Sequence, residues 1–206
     1  MENPQQKEWM KHAHSMINEL DAMEENEKWK YDCDAEGCQI YSLEDGSNLK
    51  YRKYIMEVKM SAERLGRNAH KPELRDRISP ENVAEVVLLE SLPGNVKIVH
   101  QIGTQGYIIT ARDVVFLNHL FMADNGLVYV AEDCIEHEKA PEKAGYVRAG
   151  LRGGWIIEPI DDDNCRAIRI YKIDPKGMIP DMVVNQMSKQ NWIKKLVDYI
   201  IKEGLE

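Results

Sequence analysis

The order of elements along the chain predicts an α+β fold, a curved antiparallel sheet with helices on one face. Three observations point there. An amphipathic helix stands at each end of the sequence, short strand-like segments set apart by turn residues fill the middle, and one of these segments alternates as a half-buried strand does.

The first helix is marked by Trp9, Met10, Ala13, Met16, Ile17, Leu20 and Met23, spaced three and four apart along one apolar face. Asn3-Pro4 suits its start, and the charged run 24–28 ends it. Strands are predicted over 29–33, 39–43 and 49–60, separated by turns at Glu36-Gly37 and Asp45-Gly46. In the third, Arg52, Tyr54, Met56, Val58 and Met60 form a mostly apolar set that alternates with Tyr51, Lys53, Ile55, Glu57 and Lys59. The polar stretch 61–74 predicts one or two short helices. Further strands are predicted over 83–92, 96–102, 114–121, 127–135, 144–151, 155–159 and 166–173. The chain then predicts a long helix over 181–203, with Val184, Met187, Ile193, Leu196, Val197 and Ile200 on its apolar face. Asp181 after Pro180 suits its start and Gly204 its stop. A long helix laid against a strongly curved sheet need not fill the space beneath it, and such a gap is a natural ligand cavity.

At 206 residues and 43% hydrophobic, the chain suffices for one domain over 1–206. A chain of this size buries roughly 70% of its unfolded surface, enough for a hollow core. With 27 Lys and Arg against 35 Asp and Glu, the net charge of -8 argues against a nucleic-acid binder and against general attraction to anionic membranes. No basic segment followed by an apolar stretch opens the chain, so a cytoplasmic protein is expected. Cys33, Cys38, Cys134 and Cys165 then read as reduced thiols.

Four segments together resemble the START domains, the lipid-transfer family related to the steroidogenic acute regulatory protein. Tyr171-Lys172-Ile173-Asp174-Pro175-Lys176-Gly177-Met178-Ile179-Pro180 looks like the family's strand, aspartate, glycine loop and proline ahead of a lid helix. Ala111-Arg112-Asp113-Val114-Val115-Phe116 is similar to its Arg-Asp strand start. Cys134-Ile135-Glu136-His137, followed by Pro141 and Gly145-Tyr146-Val147-Arg148-Ala149, is the third, and Gly154-Trp155-Ile156-Ile157-Glu158-Pro159 the fourth. The resemblance covers about residues 7–204. It implies a helix-grip fold, in which a sheet of about nine strands closes with the C-terminal helix over one lipid. It further implies a monomeric, non-enzymatic carrier without cofactor, metal or catalytic residues, meeting membranes transiently. A phospholipid is the expected ligand. Ceramide, a sterol, or a lipid sensor acting through a partner protein are the alternatives.

By the same resemblance, Arg75 falls where some relatives contact a phosphate or ceramide head. The competing reading is a surface ion pair among Glu73, Asp76 and Arg77. Gln101 matches a ceramide-binding glutamine. Asn118 stands where sterol carriers place an interior arginine that pairs with an acid, which points away from a sterol. Glu132 lies near the corresponding polar contact, although an unpaired buried carboxylate would be costly. Tyr107, Ile108 and Ile109 on one loop, with Met178 and Ile179 on another, are expected to form a membrane-touching rim at the cavity mouth.

Other patterns carry less. Cys33-x₄-Cys38 is too wide for a zinc knuckle and has no second pair. His12 and His14, two apart on a helix, do not share a face. Asp161-Asp162-Asp163-Asn164 reads as a solvated turn. Gly103-Thr104-Gln105-Gly106 matches an RNA-binding Gly-x-x-Gly loop against the wrong charge. Cys134 with His137, and Cys165 with His119, lack a nucleophile motif and read as core thiols and surface histidines.

Overall fold

A computed structural model describes residues 3–104, 110–177, 179 and 192–205. Helix α1 (Pro4–Glu24) is capped by Asn3, whose side-chain oxygen accepts from the Gln5 N–H at 3.1 Å. Strands β1 (Lys30–Ala35), β2 (Cys38–Glu44) and β3 (Lys50–Val58) form a meander. The polar stretch becomes α2 (Ala62–Ala69), capped by the Ser61 hydroxyl, then a single 3₁₀ turn (Pro72–Leu74) that runs directly into the short α3 (Arg75–Ile78). Seven strands follow: β4 (Val83–Leu92), β5 (Val96–Gly103), β6 (Ala111–Met122), β7 (Val128–Cys134), β8 (Tyr146–Arg148), β9 (Gly150–Pro159) and β10 (Cys165–Asp174). Helix α4 (Trp192–Glu203) is the second half of the helix expected over 181–203; the first half lies outside the described residues.

Among the described residues the sheet has ten strands where about nine are expected. Nine run in the order β1-β2-β3-β10-β9-β7-β6-β5-β4, all antiparallel, and three-residue β8 pairs in parallel with β6. Leu151, predicted to end one strand, instead belongs to β9. The break expected between the strands over 144–151 and 155–159 is not there: β9 runs through Gly153 and Gly154, which the sheet uses for close approach. A Cβ on Gly153, at φ +144°, would fall 2.1 Å from the Ile170 carbonyl oxygen.

The sheet is curved and both faces are covered. On the concave face, Tyr54, Val130, Trp155, Ile157 and Ala167 pack with Leu65 of α2 and with Ile193, Leu196 and Ile200 of α4. On the convex face, Val96, Ile98, Leu117, Ile156 and Ile168 pack with Trp9, Ala13, Ile17 and Leu20 of α1. This corrects the expectation of helices on one face. The central strands are apolar on alternate residues of both sides, so each side needs a covering layer. The same layer corrects the reading of surface histidines. His119 is buried and bonds the Ala13 carbonyl at 2.9 Å, and His137 is buried, stacks on Trp9 and lies 3.2 Å from Glu90.

Candidate functional site

Between the concave face and α2, α3 and α4 lies a cavity of about 230 Å³. Ala69, Val114, Leu151, Trp155, Ile173 and Leu196 give it apolar walls. One group of its polar residues centres on Arg75. The 3₁₀ turn, entered at Pro72, leads straight into α3 and brings Arg75 over the Phe116 ring, 4.7 Å from its centre. From there one Arg75 nitrogen donates to Gln101 Oε1 at 3.2 Å and the other to Glu132 Oε1. Glu132 is 1% exposed. Asn118 faces it directly across the β6–β7 pair and donates to the same oxygen at 3.3 Å.

Arg75 and Asn118 therefore meet on the Glu132 carboxylate, and Gln101 joins them through Arg75. Arg75 and Gln101 line the cavity, and fully buried Asn118 lies beneath with Glu132. Two expectations need correction. Arg75 is not in a surface pair with Glu73, Asp76 or Arg77, because its charge is turned inward onto Glu132. Nor does Asn118 mean that an interior arginine–acid pair is missing, because α3 supplies the arginine that β6 lacks. The case against a sterol that rested on Asn118 falls with it.

Arg169 was missed. It sits on β10 between Ala167 and Tyr171, at an inward position of the period-2 pattern, and a charge on the buried side of a strand was the signal available. Its guanidinium stacks on Trp155 at 4.6 Å and Tyr171 at 5.2 Å, and lies 3.7 Å from Glu132 Oε2. Burial pushes its pKa down, against the pull of Glu132. Its Nε has no hydrogen-bond partner among the described residues. Tyr171 in turn stacks on Tyr54 and donates to its hydroxyl at 3.4 Å.

At the mouth, Arg112 ties the segment before β6 to the loop after β10. Its Nε donates to the Pro175 carbonyl at 3.3 Å and its other nitrogens to the carbonyls of Thr110 and Lys176. The next residue, Asp113, accepts from Arg148 of β8 at 3.0 and 2.9 Å and lies 2.8 Å from His100. Burial pushes the Asp113 carboxyl up, but these partners outweigh it and hold it below the usual range. Tyr107, Ile108, Ile109 and Met178, expected at the rim, lie outside the described residues; Ile179 is half-buried. Tyr146, paired with Ala111 at the start of β6, and Ile173, just before the Asp174–Gly177 loop, are exposed.

The thiols are free, and burial pushes Cys38 and Cys134 up to about 11 and Cys165 to about 12, so these three stay protonated at neutral pH. Among the described residues no group of three or more His, Cys, Asp or Glu could hold a metal ion, and no helix is long and apolar enough to cross a membrane.

No curated protein sequence matches the chain. Solved structures do. Human StAR-related lipid transfer protein 5 superposes with a TM-score of 0.83 at 17% identity, covering 97% of this chain and 99% of its own. Human STARD10 gives 0.82 at 22% identity, covering 92% and 79%. A StAR-related lipid transfer protein fragment from Xanthomonas axonopodis gives 0.74 at 22% identity, covering 84% and 99%. At these identities the likeness concerns the fold. The family model for the START domain matches residues 9–199, nearly the whole sequence, and the chain belongs to the START domain family.

Proposed function

We propose that the protein is a carrier of one lipid, a phospholipid, which it holds in the cavity and moves through the cytoplasm between membranes that it touches only transiently. The observation that carries this reading is the cavity itself: apolar walls with a few interior polar groups, Arg75, Gln101 and Arg169 among them. A lipid chain in water costs ~0.8 kcal/mol per CH₂, so about sixteen carbons resist leaving a bilayer by on the order of 12 kcal/mol. An apolar hollow offsets that cost in transit, and a few interior polar groups satisfy the head group. The step is non-covalent: no bond is made or broken. The mouth supports a membrane rim, since Tyr146 and Ile173 are exposed beside the chain that Arg112 ties together. The loop residues Tyr107, Ile108, Ile109, Met178 and Ile179 complete that rim in this reading.

A sterol is the second reading, favoured by the interior Arg75–Glu132 pair, the feature that the resemblance associates with sterol carriers. Native mass spectrometry of the purified protein checks for a co-purified lipid. A transfer assay with fluorescent phospholipid, ceramide and sterol between vesicles, without ATP, tests movement. We expect transfer above background for at least one phospholipid. Transfer of sterol alone selects the second reading, and no transfer of any lipid overturns both.

A further inference from the structure

We infer that the cavity selects lipids whose head group carries a net negative charge, phosphate or carboxylate, over choline heads, and that Arg169 decides this. The inference rests on the lipid-carrier reading above and adds the head-group class to it.

Charge at the cavity runs opposite to the charge of the chain. In a protein of net charge -8, the charged residues lining the cavity among the described residues are Lys71, Arg75, Arg112 and Arg169 against Asp113. Asp113 is already engaged by Arg148 and His100. Beneath the lining, Glu132 is the carboxylate shared by two guanidiniums, and the shares are unequal. Arg75 is hydrogen-bonded to it, whereas Arg169 lies at 3.7 Å, beyond hydrogen-bond length. Two positive charges face one negative charge, which leaves about one positive charge uncompensated. Arg169 is 8% exposed and its Nε has no partner among the described residues. A buried guanidinium in that condition is costly, and an anionic head that accepts from Nε removes the cost. Arg suits phosphate and carboxylate alike, because both match its planar fork.

The aromatic residues argue against choline. Recognition of a quaternary ammonium uses open aromatic faces. Among the described residues, the aromatic side chains lining the cavity are Trp155, Tyr171 and Trp192. Each already has one of the protein's own cations over its ring. Arg169 covers Trp155 and Tyr171, and Lys195 stands 5.6 Å from the centre of Trp192. A choline head would therefore compete with resident cations and meet a positively charged floor.

The test measures equilibrium binding of four fluorescent lipids, phosphatidate, a long-chain fatty acid, phosphatidylcholine and ceramide, to the full chain and to Arg169→Gln and Arg169→Lys. For the unaltered protein we expect phosphatidate or the fatty acid to bind at least tenfold more tightly than phosphatidylcholine and ceramide. Preference for phosphatidate alone assigns a phosphate site, and for the fatty acid alone a carboxylate site. Arg169→Gln should lose about ten- to hundredfold in anionic-lipid affinity with ceramide binding unchanged, and Arg169→Lys should lose less. Equal or tighter binding of phosphatidylcholine or ceramide by the unaltered protein overturns the inference, and needs no variant to fold. An Arg169→Gln protein that is folded by circular dichroism and keeps its anionic preference overturns the role of Arg169. Failure to bind any of the four lipids, or a sterol, overturns the carrier reading instead.

Discussion

Glu132 is buried with Arg75 bonded to one oxygen and Arg169 near the other, so it holds two like charges in place. Removing one partner of a buried pair typically costs about 3–5 kcal/mol, because the remaining charge loses its compensation. Glu132→Gln leaves two guanidiniums together, and at about 2–4 °C per kcal/mol for a chain of this size its melting temperature should fall by roughly 6–20 °C. Calorimetry checks this; a drop below 2 °C means that the pair is not the anchor described. His70 gives a pH prediction. It is buried, with its Nε2 unpartnered among the described residues, and burial, with Lys97 nearby, pushes its pKa down to about 4. Between the unfolded value near 6.5 and that value, the unfolded chain binds the proton and the folded one does not. Its contribution thus leaves stability unaffected above pH 6.5 and erodes it as pH falls towards 4, by about 3 kcal/mol at most. His70→Gln should flatten the dependence of melting temperature on pH between 4 and 6.5. An unchanged slope shows that the ring titrates normally in the fold.

Helices and most strands were legible because their periodicities are local. Every strand expected over 83–135 forms, with ends within a few residues of those predicted, and Asn3 and Ser61 act as caps. The failures fall where a neighbour decides. Gly153 and Gly154 belong to a strand because adjacent strands come close there, which no local pattern encodes. The side of the sheet that α1 covers depends on both faces being apolar, a property of the assembled layer. At the site, Arg75 and Gln101 were named through the family resemblance. Their meeting at Glu132, Gln101 through Arg75, follows from the register of β5, β6 and β7 and the placing of α3, and Arg169 joins from β10 through its pairing with β3 and β9. One element carries a prediction of its own. Strand β8, three residues long, leaves Tyr146 exposed beside the mouth. Tyrosine favours the boundary between head groups and acyl chains. Tyr146→Ser should slow association with vesicles severalfold and leave melting within about 0.5 kcal/mol of the parent. Unchanged association by stopped-flow would place β8 outside the membrane-facing rim.

Across the whole molecule the sheet is long-range in sequence. The last strand in the chain, β10, lies in the middle, between β3 and β9. It carries Arg169 and Tyr171 to the cavity and shares ten register positions with β9 and seven with β3. That placement has a consequence for the making of the protein. Synthesis delivers β1–β3 and β4–β9 first, and until β10 follows they are two partial sheets whose facing edges, β3 and β9, stand open. Open edges are templates for pairing with other chains, and non-local pairing is slow. A chain halted on the ribosome with residues 165–174 still in the exit tunnel should be cut rapidly by protease and recruit chaperones, and releasing only that stretch should bring resistance in one step. Early resistance of either half would show that it folds unaided. The strand that completes the cavity is thus also the clasp, and the protein stays vulnerable to aggregation until nearly all of it has been translated.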